Sequence, residues 1–387
     1  MSAVEEDREA WLRLALAEDV GPGALARLDP APERWPLWLG AGRAGLRHRG
    51  LTSAQVEALV APDEARLDAS RRWLDQPGHA LVARTDACYP PLLRRIADAP
   101  VALFVNGDPE WLLYPQIAIV GSRSATANGL AIADQFAGEL AAAGLVVTSG
   151  LALGIDGAAH AAALNAGGAT LAVAGTGPDR VYPARHRDLA RRIVDNGAVV
   201  SSFAPGIGPR AGHFPARNRI ISGMSAGVLV IEAGARSGSL ITARLAGEQG
   251  REVFAVPGSI RNPLARGCHR LIRDGARLVE SAGDVLAELE PMITELAGAL
   301  RGQLEPARAS AGERPEAGDD TADDPDVTAL LAAMGHDPVS VDELIARTNL
   351  TTQAVSSMLL QLELEGRVAA LGGGRYSRTG RNREAAE

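Results

Sequence analysis

Apolar runs alternate with helical patterns through the middle of the chain, between about residues 116 and 290. Residues 117–120 are apolar without alternation, which is typical of a strand covered on both faces of a parallel sheet. Apolar residues then recur at helical spacing over 127–143, and Gly144 ends the predicted helix. Further strands are predicted at 145–148, 170–174, 199–202, 228–231, 253–256 and 277–279. This alternation predicts an α/β fold with a doubly wound parallel sheet.

The segments before the sheet have a different pattern. Residues 1–75 have helical periodicity and are predicted to form a helical domain. Within it, Gly21-Pro22-Gly23 resembles the hairpin of helix-hairpin-helix modules, and a helix C-cap glycine followed by a turn proline explains it equally well. Prolines interrupt the next segment, and residues 101–105 are predicted to add an edge strand to the sheet. We therefore assign residues 76–290 to the sheet domain.

The end of the chain is predicted to hold a linker and a small domain. Residues 291–326 are rich in acidic residues, Ala, Gly and Pro, which predicts a flexible linker kept extended by self-repulsion. Residues 327–380 have a winged-helix pattern, with Thr351 or Thr352 capping the third helix. That helix contains no Arg or Lys, so we expect an interaction or autoregulatory module rather than a reader of DNA sequence.

Composition excludes several classes of protein. The 387 residues are 46% apolar, enough for a large core and two or three domains. The sequence contains no lysine, which excludes a Walker A loop, a Schiff base and a lysine nucleophile. Cys88 and Cys268 form no metal-binding or disulfide motif, so we predict neither a metal nor a cofactor. The chain has no apolar run of membrane-spanning length and no secretory signal, which predicts a cytoplasmic protein without membrane contact.

The charge is distributed unevenly. The chain carries a net charge of −8, but residues 179–277 hold 16 Arg against 7 acidic residues, a net of +9. The remaining 23 Arg and 40 acidic residues give −17. A basic segment in an acidic chain indicates a face that binds a polyanion, unless its arginines pair with acids from other segments.

Candidate binding residues follow the predicted strands, at the edge where ligands of such sheets sit. The turn Gly121-Ser122-Arg123 lacks a dinucleotide fingerprint, but free N–H groups at the next helix start, together with hydroxyls and a guanidinium, would suit an anion. A second such turn begins at Arg236. Arg217, Asn218 and Arg219 are predicted at a helix start, and rings are available for stacking bases. The predicted DNA-binding residues are Gly121, Ser122, Arg123, Tyr182, Arg185, Phe214, Arg217, Asn218, Arg219, Ser237, Gly238 and Ser239.

Catalytic interpretations have less support. His160 is available for a nucleophilic triad, but the sequence contains no nucleophile-elbow motif, and this histidine is expected on a helix face among alanines. Asp156 is expected to be a helix N-cap rather than a general base. A nucleotide-binding enzyme that hydrolyses a glycosidic bond remains the alternative, with Glu232 as its carboxylate.

Several motifs in order resemble the DNA-processing protein A (DprA/Smf) family. They are GSR at 121–123, SGLALGID at 149–156, YP at 182–183, HFPARNRIISG at 213–223, EAGARSGSLITA at 232–243 and VPGS at 256–259, together with DACYPPLLRRIADAP at 86–100. The resemblance covers roughly residues 80–290. It implies an extended Rossmann-like fold that binds single-stranded DNA without sequence preference, forms a homodimer and loads the RecA recombinase in natural transformation.

The family's DNA contacts carry over to Arg123, Arg185, Arg217, Asn218 and Arg219. Arg185 stands where relatives often have Lys, which keeps the charge, and His269 stands where the family usually has Asn. From the residues we expect Arg123, Arg185, Arg217 and Arg219 to converge on one rim and hold a single strand. The alternatives left open are the enzyme and a scaffold for partner proteins that docks them on its winged helix.

Overall fold

The computed structural model describes most of the chain before residue 311 and parts of the remainder. The described residues are 3–17, 19–310, 330–331, 333–334, 339–348, 350, 355, 358–359, 362, 368–371 and 375–378. The chain divides into two compact units, 1–307 and 308–387, each described by itself. Within the described residues, no helix is long and apolar enough to span a membrane.

The predicted helical N-terminal domain is present. Its helices are α1 (Ala3–Leu16), α2 (Pro22–Leu28), a 3-10 segment (Pro32–Gly40), α3 (Gly42–His48), α4 (Ser53–Val60) and α5 (Glu64–Leu74). They enclose an apolar core in which Trp11 packs against Trp35, with ring centroids 6.2 Å apart. Gly21 is the residue before α2, with Pro22 at its first position, and α1 has already ended at Leu16. The interpretation of Gly21 as a helix C-cap is therefore wrong.

A nine-stranded sheet forms the centre of the first unit. Its strands are β1 (His79–Ala83), β2 (Ala102–Gly107), β3 (Gln116–Gly121), β4 (Val146–Ser149), β5 (Thr170–Val173), β6 (Gly197–Ser201), β7 (Gly227–Ile231), β8 (Glu252–Ala255) and β9 (Arg277–Leu278). The order across the sheet is β1-β2-β6-β5-β4-β3-β7-β8-β9. The chain winds outward from β3 in one direction and from β7 in the other. The switch point therefore lies between β3 and β7, where ligands of such sheets bind.

The first two strands depart from the predicted parallel sheet. β2 pairs antiparallel with both β1 and β6, whereas the seven strands from β3 to β9 are parallel. The strand predicted at 101–105 is thus one place in from the edge, and the edge strand β1 was missed. β1 is only half-buried over its first residues, so it lacks the continuous apolar run that reveals the central strands.

Helices cover both faces of the sheet. They are α6 (Pro91–Arg94), α7 (Ala127–Ala142), α8 (Ile155–Asn165), α9 (Arg187–Asp195), α10 (His213–Met224), α11 (Ser239–Glu248), α12 (Arg266–Arg273) and α13 (Ala282–Ser310). Residues from α7, α8 and α13 form one core layer, and residues from α6, α10, α11 and α12 join the other. α13 carries helix through 310, so the first part of the segment predicted as an extended linker is helical. Residues 311–326 lie outside the described residues.

The second unit has the strands predicted for a winged helix. β10 (Val339–Ser340), β12 (Arg375–Arg378) and β11 (Val368–Leu371) form a three-stranded antiparallel sheet, and α14 (Val341–Thr348) follows β10. Leu330, Leu344, Val355 and Leu359 are among the residues of its core. The caps predicted at Thr351 or Thr352 lie outside the described residues. The domain boundaries at 75, 290 and 326 stay predictions.

Candidate nucleic-acid interface

A cavity of about 800 Å³ lies at the switch point, and we call it the central cavity. Its walls come from the turn after β3, the turn before α8, one side of α10 and the turn before α11. Nine predicted site residues line it: Gly121, Ser122, Arg123, Phe214, Arg217, Asn218, Ser237, Gly238 and Ser239. Loops far apart in the sequence thus meet here because the carboxyl ends of parallel strands share one edge of the sheet.

A buried pair of opposite charges forms the floor of the central cavity. Arg217 is 4% exposed, and its Nη1 donates to the carbonyl of Val173. Asp156 accepts a hydrogen bond of 3.1 Å from the N–H of Gly150. Burial raises the pKa of Asp156, and the nearby Arg217 opposes that rise. Burial also lowers the pKa of Arg217 to about 10, so the guanidinium stays charged at neutral pH.

The backbone near Arg217 and Asp156 leaves little free space around their side chains. The Nε of Arg217 has no hydrogen-bond partner within the part of the protein that the structure describes. A side chain at Gly150 would collide with the guanidinium of Arg217, which would then have to shift. Asp156 lies in the first turn of α8, whereas the residue before that helix is Gly154 with a φ of 79°. The expectation that Asp156 is a helix N-cap is therefore wrong, and its carboxylate instead accepts a hydrogen bond from the N–H of Gly150.

Arg219 lies on the other side of α10. The helix begins at His213, so Arg217 and Arg219 occupy its second turn rather than its start. Two residues along a helix differ by about 200° around its axis. Arg219 donates to the carbonyl of Asp98 and pairs with its carboxylate at 3.4 Å. The expectation that Arg219 points to the shared rim, at a helix start, is wrong.

Two aromatic rings lie on one side of the central cavity: Phe214 lines it, and Tyr182 lies next to Phe214. The guanidinium of Arg123, which is exposed, lies 5.7 Å from the ring centroid of Phe214, within the range of a cation–π contact. The rings of Phe214 and Tyr182 have centroids 5.6 Å apart, and Tyr182 is 51% exposed. Arg185 is exposed in the short 3-10 turn Ala184–His186 and does not line the central cavity. The four arginines expected on one rim are therefore reduced to Arg123 and Arg217 at the cavity.

After β3, the start of α7 that the sequence predicts to offer free N–H groups to an anion holds a carboxylate instead. The carboxylate of Glu232 accepts hydrogen bonds from the N–H of Thr126 at 2.8 Å and from its hydroxyl at 2.6 Å. It also accepts from the amide of Asn262 at 3.1 Å, and the carbonyl of Glu232 accepts from the N–H of Ser122. A side chain at Gly129 would collide with this carboxylate. The start of α7 is thus already occupied by a negative charge.

The second turn keeps its polar groups toward the central cavity. Arg236 is exposed and lines the cavity, and no carboxylate of the described residues pairs with it. The hydroxyls of Ser237 and Ser239 lie 2.7 Å apart, at the start of α11. Among the described residues that line the cavity, Asp156 is the single acid against Arg123, Arg217 and Arg236. The cavity is therefore net positive.

The basic segment 179–277 is partly neutralised. Arg219 pairs with Asp98 and Arg277 pairs with Glu288, and both of these acids lie outside the segment. Several other arginines pair with acids of the segment itself. The interpretation that arginines pair with acids from other segments is therefore confirmed for Arg219 and Arg277, and the polyanion-binding face stays a prediction. Exposed arginines without a carboxylate partner among the described residues are Arg185, Arg187, Arg192, Arg210, Arg236, Arg261, Arg266 and Arg273.

The remaining titratable candidates are structural. His160 is fully buried, its Nδ1 lies 2.7 Å from the hydroxyl of Thr170, and burial lowers its pKa to about 3. Its place among core alanines agrees with the prediction. Cys268 is buried with its thiol directed to the carbonyl of Val230. No group of His, Cys, Asp and Glu side chains that could hold a metal occurs in the described ranges.

Comparison with known proteins finds the same family that the sequence motifs resemble. The family described as DNA recombination-mediator protein A matches residues 80–290, and the DprA winged helix domain matches residues 314–374. Protein Smf of Escherichia coli is 42% identical over 334 residues, which cover 85% of each chain. The structure of DNA processing protein A from Streptococcus pneumoniae is 40% identical, with a TM-score of 0.64, over 72% of this chain and 95% of that one.

A second solved structure, of DNA processing protein A from Helicobacter pylori, is described as showing that protein's single-stranded DNA binding mode. It is 29% identical, with a TM-score of 0.49, over 52% of this chain and 93% of that one. The extent of the family match, over more than half of the chain, and the identity to the Escherichia coli protein decide the assignment. The chain therefore belongs to the DNA recombination-mediator protein A family, the DprA/Smf family.

Proposed function

We propose that this protein binds single-stranded DNA without sequence preference, with the phosphate backbone held along the central cavity. The observation that carries the proposal is the meeting of Arg123, Arg217 and Arg236 at one cavity, from three separate parts of the chain, against a single acid among its described lining residues. Guanidiniums bind phosphate oxygens well, and phosphate contacts carry no sequence information.

Two features favour a single strand over a duplex. Phe214 and Tyr182 offer ring faces beside the arginines, and stacking on a ring requires a base that is not paired. The binding groups also lie in a concave cavity rather than on a flat or convex face. Affinity that depends mainly on guanidinium–phosphate contacts should fall steeply with salt and vary little with base composition.

Fluorescence anisotropy with labelled DNA tests this proposal. Single strands of dT, dA and mixed sequence should bind with similar Kd, and a duplex of equal length should bind more weakly at every salt concentration. The logarithm of the affinity should fall linearly with the logarithm of the salt concentration, by about 0.7 for each phosphate contact. Stronger binding of the duplex, or binding confined to one base composition, would contradict the proposal.

We also propose the biological role that the family resemblance implies. The protein would protect incoming single-stranded DNA in the cytoplasm and load RecA recombinase onto it during natural transformation or homologous recombination, acting as a homodimer. Support comes from membership of a family described as recombination mediators. RecA filament formation on DNA coated with single-strand-binding protein should speed up when this protein is added, and sedimentation should give a dimer mass. Unchanged filament kinetics would exclude the loading role.

We infer binding rather than catalysis at this site. Glu232, the carboxylate that a glycosidic-bond hydrolase would use, accepts hydrogen bonds from Thr126 and Asn262 and does not line the central cavity. A general acid or nucleophile must reach the substrate, and these contacts hold the carboxylate away from it. Turnover of nucleoside monophosphates by purified protein, lost in Glu232→Gln, would restore the enzyme alternative.

A further inference from the structure

A second cavity, of about 610 Å³, lies beside the central cavity, and we call it the side cavity. It is formed by the loop after β5, one face of α9, and residues from β2 and β6. Tyr182 lines the side cavity, whereas Phe214 lines the central cavity, and their ring centroids are 5.6 Å apart. The two rings are thus the wall that separates the cavities. A strand that leaves the central cavity over Phe214 passes Tyr182 and reaches the side cavity next.

The lining of the side cavity differs from that of the central cavity. Val181, Val194 and Pro209 contribute an accessible apolar surface, and the side-chain amide of Asn106 makes no hydrogen bond to other described residues. An apolar surface with a few hydrogen-bonding groups suits a nucleobase. Its arginines and acids are nearly balanced: Arg180, Arg187 and Arg191 against Asp179 and Asp195.

Arg187 is the cation of this cavity that is available to a ligand. Arg180 lies 3.7 Å from Asp179, and Arg191 pairs with Asp188 at 2.7 Å. Arg187 is exposed at the start of α9, and no carboxylate pairs with it in the part of the chain that the structure describes. A guanidinium on the rim of a pocket sized for a base is placed to contact the phosphate of that nucleotide.

We propose that the side cavity is a second nucleotide subsite for the same single strand. One base enters the side cavity next to Tyr182, and Arg187 contacts its phosphate. This subsite rests on the proposed binding of single strands by the central cavity and extends it. The length of DNA that the protein holds is therefore greater than the central cavity alone can contact.

Two oligothymidylates separate the subsites. One of about 3 nucleotides fits the central cavity, and one of about 12 nucleotides reaches both, within the range of site sizes known for single-strand binders. Arg187→Ala is compared with Arg192→Ala, a matched control on the same helix whose guanidinium donates to the side chain of Asn165. Both variants remove one positive charge. Val194→Phe narrows the side cavity without changing the charge, and circular dichroism with thermal unfolding checks that each variant folds.

The expected result depends on the length of the DNA. Arg187→Ala should weaken binding of the long oligomer roughly fivefold at low salt, as the loss of one charge-assisted contact would, and should change binding of the short one less than about twofold. The ratio of its Kd for the long oligomer to that of the unaltered protein should fall by about threefold between 50 and 200 mM salt, because one phosphate contact is missing. Val194→Phe should also affect only the long oligomer, and Arg192→Ala neither.

Equal losses for both lengths, or a loss in Arg192→Ala as large as in Arg187→Ala, would overturn the subsite while leaving the central cavity's role intact. An unchanged affinity of Arg187→Ala and Val194→Phe for the long oligomer would do the same. If the unaltered protein binds neither oligomer, the proposed single-strand binding itself fails, and the subsite fails with it.

Discussion

Arg123→Ala should weaken binding of every single-stranded sequence by the same factor. The guanidinium of Arg123 is exposed at the central cavity, where it lies 5.7 Å from the ring of Phe214. Its loss removes a phosphate contact worth about 1 kcal/mol at an exposed site. That loss corresponds to a roughly fivefold increase in Kd at low salt.

The salt dependence gives a second measurement of the same change. The slope of log affinity against log salt should become shallower by about 0.7, the value for one phosphate contact on a single strand. Anisotropy titrations of dT, dA and mixed-sequence strands measure both quantities. Arg43→Ala is the control, since Arg43 is equally charged but pairs with Glu57 in the N-terminal helical domain, away from the cavity.

Three results would refute this reasoning. A loss confined to one base composition would mean that Arg123 reads bases rather than phosphates. An unchanged salt slope would mean that the side chain does not contact a phosphate. An equal loss in the Arg43→Ala control would mean that binding responds to total charge and not to the cavity.

Three further changes probe the surroundings of the cavity. Arg219→Ala should lower the free energy of unfolding by about 1–2 kcal/mol, because the contact to Asp98 is lost, and should leave the salt slope of DNA binding unchanged; a shallower slope would place Arg219 on the DNA. Glu232→Gln should lower the unfolding free energy by about 1–3 kcal/mol, since the amide cannot accept both hydrogen bonds of Thr126, and unchanged denaturant midpoints would contradict that. Burial lowers the pKa of His160 to about 3 in the folded protein, so the unfolded chain binds a proton more readily. As the pH falls from about 6.5 to 3, the free energy of unfolding should therefore decrease by up to 1.4 kcal/mol per pH unit. A His160→Asn variant should lose that part of the pH dependence in thermal unfolding.

The parts of the fold that the sequence predicts are those with a local signal. The strands β3 to β8 contain apolar runs, and these six, together with the short edge strand β9, fall where the pattern places them. β1 was not predicted because its first three residues are half-buried, so the strand shows neither a continuous apolar run nor an alternation of apolar and polar residues. The sequence predicts the start of α10 near Arg217, whereas the helix begins one turn earlier, at His213. Once both residues are placed inside one helix, their separation of two positions puts Arg217 and Arg219 on nearly opposite sides of it.

The contacts that decide the site are long-range and leave no local signal. Glu232 reaches Thr126 across 106 residues, and Arg219 reaches Asp98 across 121. Glu232 also has a φ of 51°, which is uncommon for a residue with a side chain, and the preceding strand gives no hint of it. The sequence could therefore gather the candidate residues at one edge of the sheet but could not sort those that face the cavity from those that hold the loops.

The position of Glu232 accounts for a Rossmann-like sheet that would take a polymer rather than a dinucleotide. In dinucleotide-binding folds the pyrophosphate sits on the N–H groups and positive dipole at the start of the first helix. Here the carboxylate of Glu232 occupies the equivalent start of α7, and a phosphate placed there would meet a like charge at close range. In the proposed function, phosphates would instead contact the side chains of Arg123, Arg217 and Arg236, which line the central cavity. Side chains on separate loops can follow a flexible strand, whereas a helix start accepts one anion in one place.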